Sequence, residues 1–421
     1  MQLQSPELQQ SAADFRNMAS EAFHTSTHLK NAAEQASRRG YDDFMIVDVD
    51  SHHYETESWD EIFEFIEDPV MRHEAKYQGN RPGGIGSVDG AYQALAGRIV
   101  RYPRRTKEKV PDTPHRDITV MRRWMDAMGV DVACMFPTPM LNLSVCPRVE
   151  VEVALAWAYN SWLCERVLSE EPRLKSMLYL PFNEPGECAR MVEAFGDRKG
   201  VIGFVVTAPH YRGVYDNAYV PTDAALQERN LPLAFHAAFN WGDQSLALTN
   251  RFIGVHALGF AWHNMVHMTN WVVNGMPERF PRLKTIWIES GLAWIPFLMQ
   301  RLDNEFMMRS SDAPLLKRKP SDYMREMYYS NQPMEMVDNH RALELTFDMI
   351  GAETQLLYSS DYPHWDMDLP SVIYDLPFLG ETAKRNILGG NAARLFNLEE
   401  TFSPAKLARR QQRAGQTGNG T

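Results

Sequence analysis

The sequence predicts an α/β fold, a (β/α)8 TIM barrel, from three observations. The chain has 421 residues, strand-like apolar runs alternate with helical patterns, and metal-ligand residue types stand at the C-terminal ends of several runs. That length accommodates one barrel of about 250 residues with additions. The runs are Phe44 to Val49, Val130 to Phe136, Lys175 to Leu180, Val201 to Thr207, Leu231 to His236, Lys284 to Glu289, Met327 to Ser330 and Gln355 to Ser360. Helical patterns intervene at Asp117 to Met128, Val149 to Ser169, Pro185 to Ala194, Asp223 to Glu228 and Pro296 to Phe306.

The ends read differently. Residues 1–43 are rich in Gln, Ala, Ser and Glu and are expected to form a helical, partly disordered arm, packed on a neighbouring subunit. Residues 44–400 form the barrel, with an insertion at about 54–116, and residues 401–421, ending QQRAGQTGNGT, read as a flexible tail. An insertion after strand one rises from the face where barrel active sites form, so it is expected to act as a lid. Its RPGGIGSVDG stretch lacks the GxxxxGK[ST] pattern and a leading strand, which argues against a nucleotide site.

A formal charge of −11 and the lack of a long basic patch exclude nucleic acid as a natural partner. The basic run Arg98, Arg101, Arg104, Arg105, Lys107 and Lys109 reads as a solvated loop or as the source of an arginine, such as Arg101, for a substrate carboxylate. The four cysteines contain no CxxC pair, and no signal-peptide or membrane-length apolar run is evident, so a reduced, cytoplasmic protein without membrane association is expected.

Asp50 and His52, two residues apart on an extended strand, point to the same side. His236, Glu289 and Asp361 close three further runs, and strand ends one, five, six and eight converge in a barrel. Taken singly, Asp50 and Asp361 also suit helix capping; with His52 and His236 they read as a site for one metal ion. His53 points the other way and reads as a packed histidine, and Glu289 also suits an ion pair with Arg301. His263 and His267 have the i, i+4 spacing without an HExxH glutamate, so they read as helix-face residues, one of them within reach of substrate. His364 and Trp365 follow Asp361 on the strand-eight loop as candidate substrate contacts, and Phe239, Trp241, Trp262 and Trp294 are candidate apolar walls.

In order, VDVDSHHYE, RRWMDAMGVDVACMFP, ERFPRLKTIWIESGLAWIPFLMQRLD, LLYSSDYPHWD and NILGGNAARLF resemble the amidohydrolase-related family in its aminocarboxymuconate-semialdehyde decarboxylase group, over roughly residues 44 to 398. The resemblance implies a barrel with one divalent metal, zinc first and manganese, iron or magnesium as alternatives, and often non-oxidative decarboxylation of a cyclic or unsaturated acid. It places the metal ligands on Asp50, His52, His236 and Asp361. Asp50 stands where the family commonly has His or Glu, and that carboxylate favours harder ions. Glu289 stands where decarboxylases usually carry a histidine; a partly buried glutamate relays protons but cannot donate as a cation.

The leading expectation is a carboxy-lyase acting on a carboxylated aromatic or cyclic small molecule. Glu289 or Asp361 delivers the proton, and Arg101 or His263 holds the carboxylate. The runner-up is a hydrolase of an amide, ester or thioester that uses a metal-activated water, and a barrel that binds a metabolite without turnover is the third. A homodimer or higher homo-oligomer is expected.

Overall fold

The computed structural model describes residues 25–78, 110, 113–207, 210, 212–238, 243–335, 339–364 and 366–418. Its strands are β1 (Val47–His53), β2 (Val132–Pro137), β3 (Leu174–Tyr179), β4 (Val201–Thr207), β5 (Leu233–His236), β6 (Thr285–Ile288), β7 (Tyr328–Ser330) and β8 (Leu356–Leu357). They pair in parallel and in sequence order. Tyr358 gives its carbonyl to the Val49 N–H at 2.9 Å, and a parallel bridge joins Ser51 to Tyr362, so the last strand returns to the first. The expected (β/α)8 barrel is the fold observed.

Parallel strands in a barrel are covered on both faces, and this selects runs such as VIGFVVT in β4 rather than alternation. The helices that cover them are α1 (Thr25–Arg39), α2 (Arg116–Met128), α3 (Val149–Leu163), α4 (Pro185–Phe195), α5 (Val220–Arg229), α6 (Phe252–Val273), α7 (Trp294–Arg309), α8 (His340–Ile350), α9 (Asn391–Phe396) and α10 (Pro404–Gly418). Between barrel and helices, Phe235 of β5 stacks on Trp287 of β6, with centroids 4.4 Å apart, and meets Trp271 of α6 edge-on at 5.6 Å. Two glycines show why side chains are excluded from this layer. Gly129 ends α2 at φ 76° against Tyr41 and Ala36, and a Cβ on Gly389 would lie 2.1 Å from the Met45 carbonyl oxygen where the chain enters the barrel.

The additions pack closely on the barrel where they are described. Helix α1 packs on its own barrel: Ala32 is buried, Arg39 Nε donates to Asp375 at 2.8 Å, and Ser371 donates to Gln35 at 2.9 Å. The segment expected to be a flexible tail contains α10, fixed beneath the barrel by the buried Lys406. Its ammonium donates to Asp131 Oδ2 at 2.6 Å and to the Phe44 carbonyl at 3.0 Å, because Asp131 is enclosed and needs a counter-charge. The described start of the insertion is part of the core, since Trp59, Ile62 and Phe63 are buried and Glu61 accepts from Trp162 at 3.1 Å. The remainder of the insertion, with the basic run, Arg101 and the lid expected from it, lies outside the described residues.

Candidate metal centre and active site

Asp50 and His52 both reach the interior at the C-terminal end of β1, where the β1–β2 register shifts between Asp48 and Ser51. A bulge of this kind re-aims side chains and is common beside active sites. Asp50 and His52 are fully enclosed, and His52 Nε2 lies 3.1 Å from Asp50 Oδ1 and 3.2 Å from Asp361 Oδ1. His236, the last residue of β5, brings Nε2 to 3.2 Å from Asp50 Oδ1. The four predicted ligands therefore meet in one place.

Each imidazole is oriented from behind. His52 Nδ1 lies 3.0 Å from the Pro137 carbonyl and His236 Nδ1 2.7 Å from the Ala237 carbonyl. A carbonyl only accepts, so both rings carry a proton on Nδ1 and turn Nε2 inward. Asp48 supports the carboxylates, accepting the main-chain N–H of Asp50 at 3.2 Å and of Ser360 at 2.9 Å. Burial, against the Ser360 hydrogen bonds, pushes the Asp48 carboxyl up to about 7.

The electrostatics favour a cation. Burial opposes ionisation of Asp50, yet His236 and His52 hold its carboxyl below the usual range; Asp361 is likewise lowered by His364 and His52. Against its own burial, His52 is pushed up to about 10 by Asp50 and Asp361. Asp50 Oδ2 and Asp361 Oδ2 are buried and make no hydrogen bond with any described group. Buried acceptors of this kind need a partner, and two carboxylates with two inward imidazole nitrogens suit one divalent ion. His364 stands beside them, with Nδ1 2.7 Å from Asp361 Oδ1 and its ring stacked on His52 at 4.3 Å.

Glu289 follows β6 and is buried, with Oε2 3.3 Å from His236 Nδ1 and Oε1 3.9 Å from His364 Nδ1. Burial, and then the charges of Asp361, Asp50 and Asp366, raises its carboxyl well above the normal range. The alternative partner does not reach it: Arg301 pairs with Glu305 on the exposed face of α7. Glu289 and Asp361 both adopt the left-handed region, at φ 57° and 56°, a backbone cost that clusters at functional sites.

His263 is buried on α6, and no hydrogen bond, ion pair or ring contact joins it to this centre; the charge that acts on it is that of Asp243. Two turns earlier on the same helix, His256 lies 3.6 Å from Asp366 and feels Asp361 and His364, which places it nearer the centre than His263. The repeat of histidine at 256 and 263 was the available signal for it. Arg101, Trp241 and Trp365 fall outside the described residues. His53 behaves as expected, turned away toward the Tyr159 hydroxyl at 2.9 Å.

Comparison with known proteins bears on the family and the fold. The family model described as Amidohydrolase matches residues 124–398. Gamma-resorcylate decarboxylase of Polaromonas sp. strain JS666 is 27% identical over 259 residues, covering 57% of this chain and 75% of that protein. The enzyme of the same name from Rhizobium sp. strain MTP-10005 is 24% identical over 293 residues, covering 65% and 85%. Among solved structures, 5-carboxyvanillate decarboxylase from Sphingomonas paucimobilis superposes with a TM-score of 0.59 at 21% identity, covering 85% of this chain and all of that one. A dihydroxybenzoic acid decarboxylase from Polaromonas sp. JS666, with bound manganese and the inhibitor 2-nitroresorcinol, gives a TM-score of 0.59 at 20% identity over 84% of this chain and 97% of that one. At such identities the structural likeness carries the fold alone.

Proposed function

We propose, from the premise that this chain belongs to the amidohydrolase family, that it is a metal-dependent carboxy-lyase removing carbon dioxide from a carboxylated aromatic or cyclic acid. The observation that carries the reading is the convergence of Asp50, His52, His236 and Asp361 on one buried point beside the enclosed acid Glu289. The decarboxylases among its relatives support it.

When bound, a divalent ion would supply a chelation point for substrate oxygens and a positive centre that stabilises charge developing on the ring. Manganese is placed ahead of zinc, because two carboxylates make a hard donor set and the Polaromonas structure holds manganese. Asp50 and Asp361 set the charge of the cradle, and the carbonyls behind His52 and His236 fix the ring planes.

Glu289, favoured in its neutral form by enclosure among carboxylates, gives its proton to the ring carbon that bears the carboxylate. The bond from that carbon to the carboxylate then breaks, its electron pair restores the aromatic ring, and carbon dioxide leaves. Glu289 regains a proton from solvent. Hydrolysis would instead ask Glu289 to act as a base, a role its environment disfavours. His364, beside Asp361, and His256, 3.6 Å from Asp366, are assigned to substrate contact.

Purified enzyme is expected to release carbon dioxide from a hydroxybenzoate-type acid, to lose that activity with chelator, and to regain it with manganese. Chelator-insensitive turnover, or hydrolysis of acyl amides without carbon dioxide release, would overturn the reading. We also infer a reduced, cytoplasmic homo-oligomer. Four free cysteines support the compartment, and the exposed stripe Leu258, Trp262 and Val266 on α6 supports self-association, checked by light scattering. No helix among the described residues is long and apolar enough to cross a membrane.

A further inference from the structure

Glu55, directly after β1, is completely enclosed, and its two oxygens accept the main-chain N–H groups of Thr138 at 2.9 Å and Met140 at 2.7 Å. Two main-chain N–H groups held by one buried carboxyl group have their peptide planes fixed by it. It ties the turn after β2 to the turn after β1 at the mouth of the barrel. The consequence appears on the Thr138 side chain, whose Oγ1 lies 3.3 Å from Nε2 of His364.

The other nitrogen of that ring faces Asp361 Oδ1 at 2.7 Å, and the ring stacks on His52 with centroids 4.3 Å apart and planes inclined by 29°. A carboxylate accepts, so the His364 proton sits on Nδ1. In the neutral ring Nε2 is then a lone pair, which needs a donor. The Thr138 hydroxyl is that donor.

We propose that Thr138 is a positioning residue, held in place by Glu55, whose hydrogen bond to Nε2 fixes the plane of His364 beside the metal ligands, while Asp361 sets its tautomer. This rests on the carboxy-lyase reading of the site. Its effect on the reaction is preorganisation: a flat, oriented imidazole next to Asp361 before the substrate ring arrives, where small misplacements are costly.

Thr138→Val keeps the shape and removes the hydroxyl, whereas Thr138→Ser keeps the hydroxyl and removes the methyl group. The Val variant is expected to lose about 10- to 100-fold in kcat, the usual range for a group that orients a metal-site residue, with KM and metal content little changed. The Ser variant is expected to retain most of the activity.

A second readout does not depend on turnover. In zinc-loaded enzyme with 15N-labelled histidine, two-bond 1H–15N correlation is expected to show His364 protonated on Nδ1 throughout, with its Nε2 resonance moved downfield in the Val variant alone as the hydrogen bond is lost. Wild-type kcat in Thr138→Val, an equal loss in both variants, or an unchanged His364 signal in the Val variant would overturn the proposal. Should the wild type release no carbon dioxide from any aromatic acid, the functional reading fails, while the histidine spectra still decide the Thr138–His364 bond.

Discussion

The main-chain N–H of Asp361 donates to the carbonyl of Asp50 at 2.8 Å, so the two residues that carry the cradle's carboxylates also join the last strand end to the first. Closure of the barrel and assembly of the site are one event at this point. Backbone holds the pair together while its side chains face the candidate metal site, which makes the two contributions separable by substitution.

Asp361→Asn keeps the main-chain bond to Asp50 and the shape of the side chain but removes a charge from the cradle. Activity is expected to fall below detection and metal content to drop, with the circular dichroism spectrum of the wild type preserved. Near-normal turnover in this variant would exclude Asp361 as a ligand.

Glu289→Gln preserves volume and hydrogen-bonding length but removes the transferable proton. A loss of about 10²- to 10⁴-fold in kcat is expected, as for other general acids, with KM within a few-fold of wild type and full metal content. Full activity would reduce Glu289 to a structural partner of His236, which it approaches to 3.3 Å.

Much of this was legible in the sequence because barrel strands are buried on both faces, so composition marks them directly. Val201–Thr207 was read to the residue, and all eight strands lie within or beside their expected runs. Asp50, His52, His236 and Asp361 were readable because ligand types end apolar runs. The supporting contacts were not: Thr138 meets His364, and Asp48 meets Ser360, only through the closed barrel, and no spacing along the chain announces those pairs. Glycine, glutamine and threonine toward the C-terminus suggested disorder, while one lysine facing a buried aspartate decides where α10 packs.

Lys406→Met tests that last point. It leaves the enclosed Asp131 with the main-chain N–H groups of Ile46 and Ser403 but without its cation. Breaking a buried pair costs about 3–5 kcal/mol, and the remaining donors favour the lower end. Urea unfolding is expected to show this loss, and adding Asp131→Asn to recover part of it. Unchanged stability in Lys406→Met would mean that α10 is not fixed by this contact.

Asp223 on α5 gives a pH signature remote from the catalytic residues. Its carboxyl is buried, one of its oxygens has no hydrogen-bond partner among the described groups, and burial, only partly offset by Arg279, pushes it up to about 8. In the unfolded chain the same group ionises near 3.8. Between these values the unfolded state releases a proton that the folded state retains, so stability falls as pH rises through the window and levels off above it. Asp223→Asn has no proton to lose, so its advantage over wild type should be small at the acid end and grow toward the alkaline end, to on the order of a few kcal/mol. Denaturant unfolding of both proteins across that window checks it, and an advantage that stays constant or shrinks with rising pH would show that Asp223 finds a partner in solution.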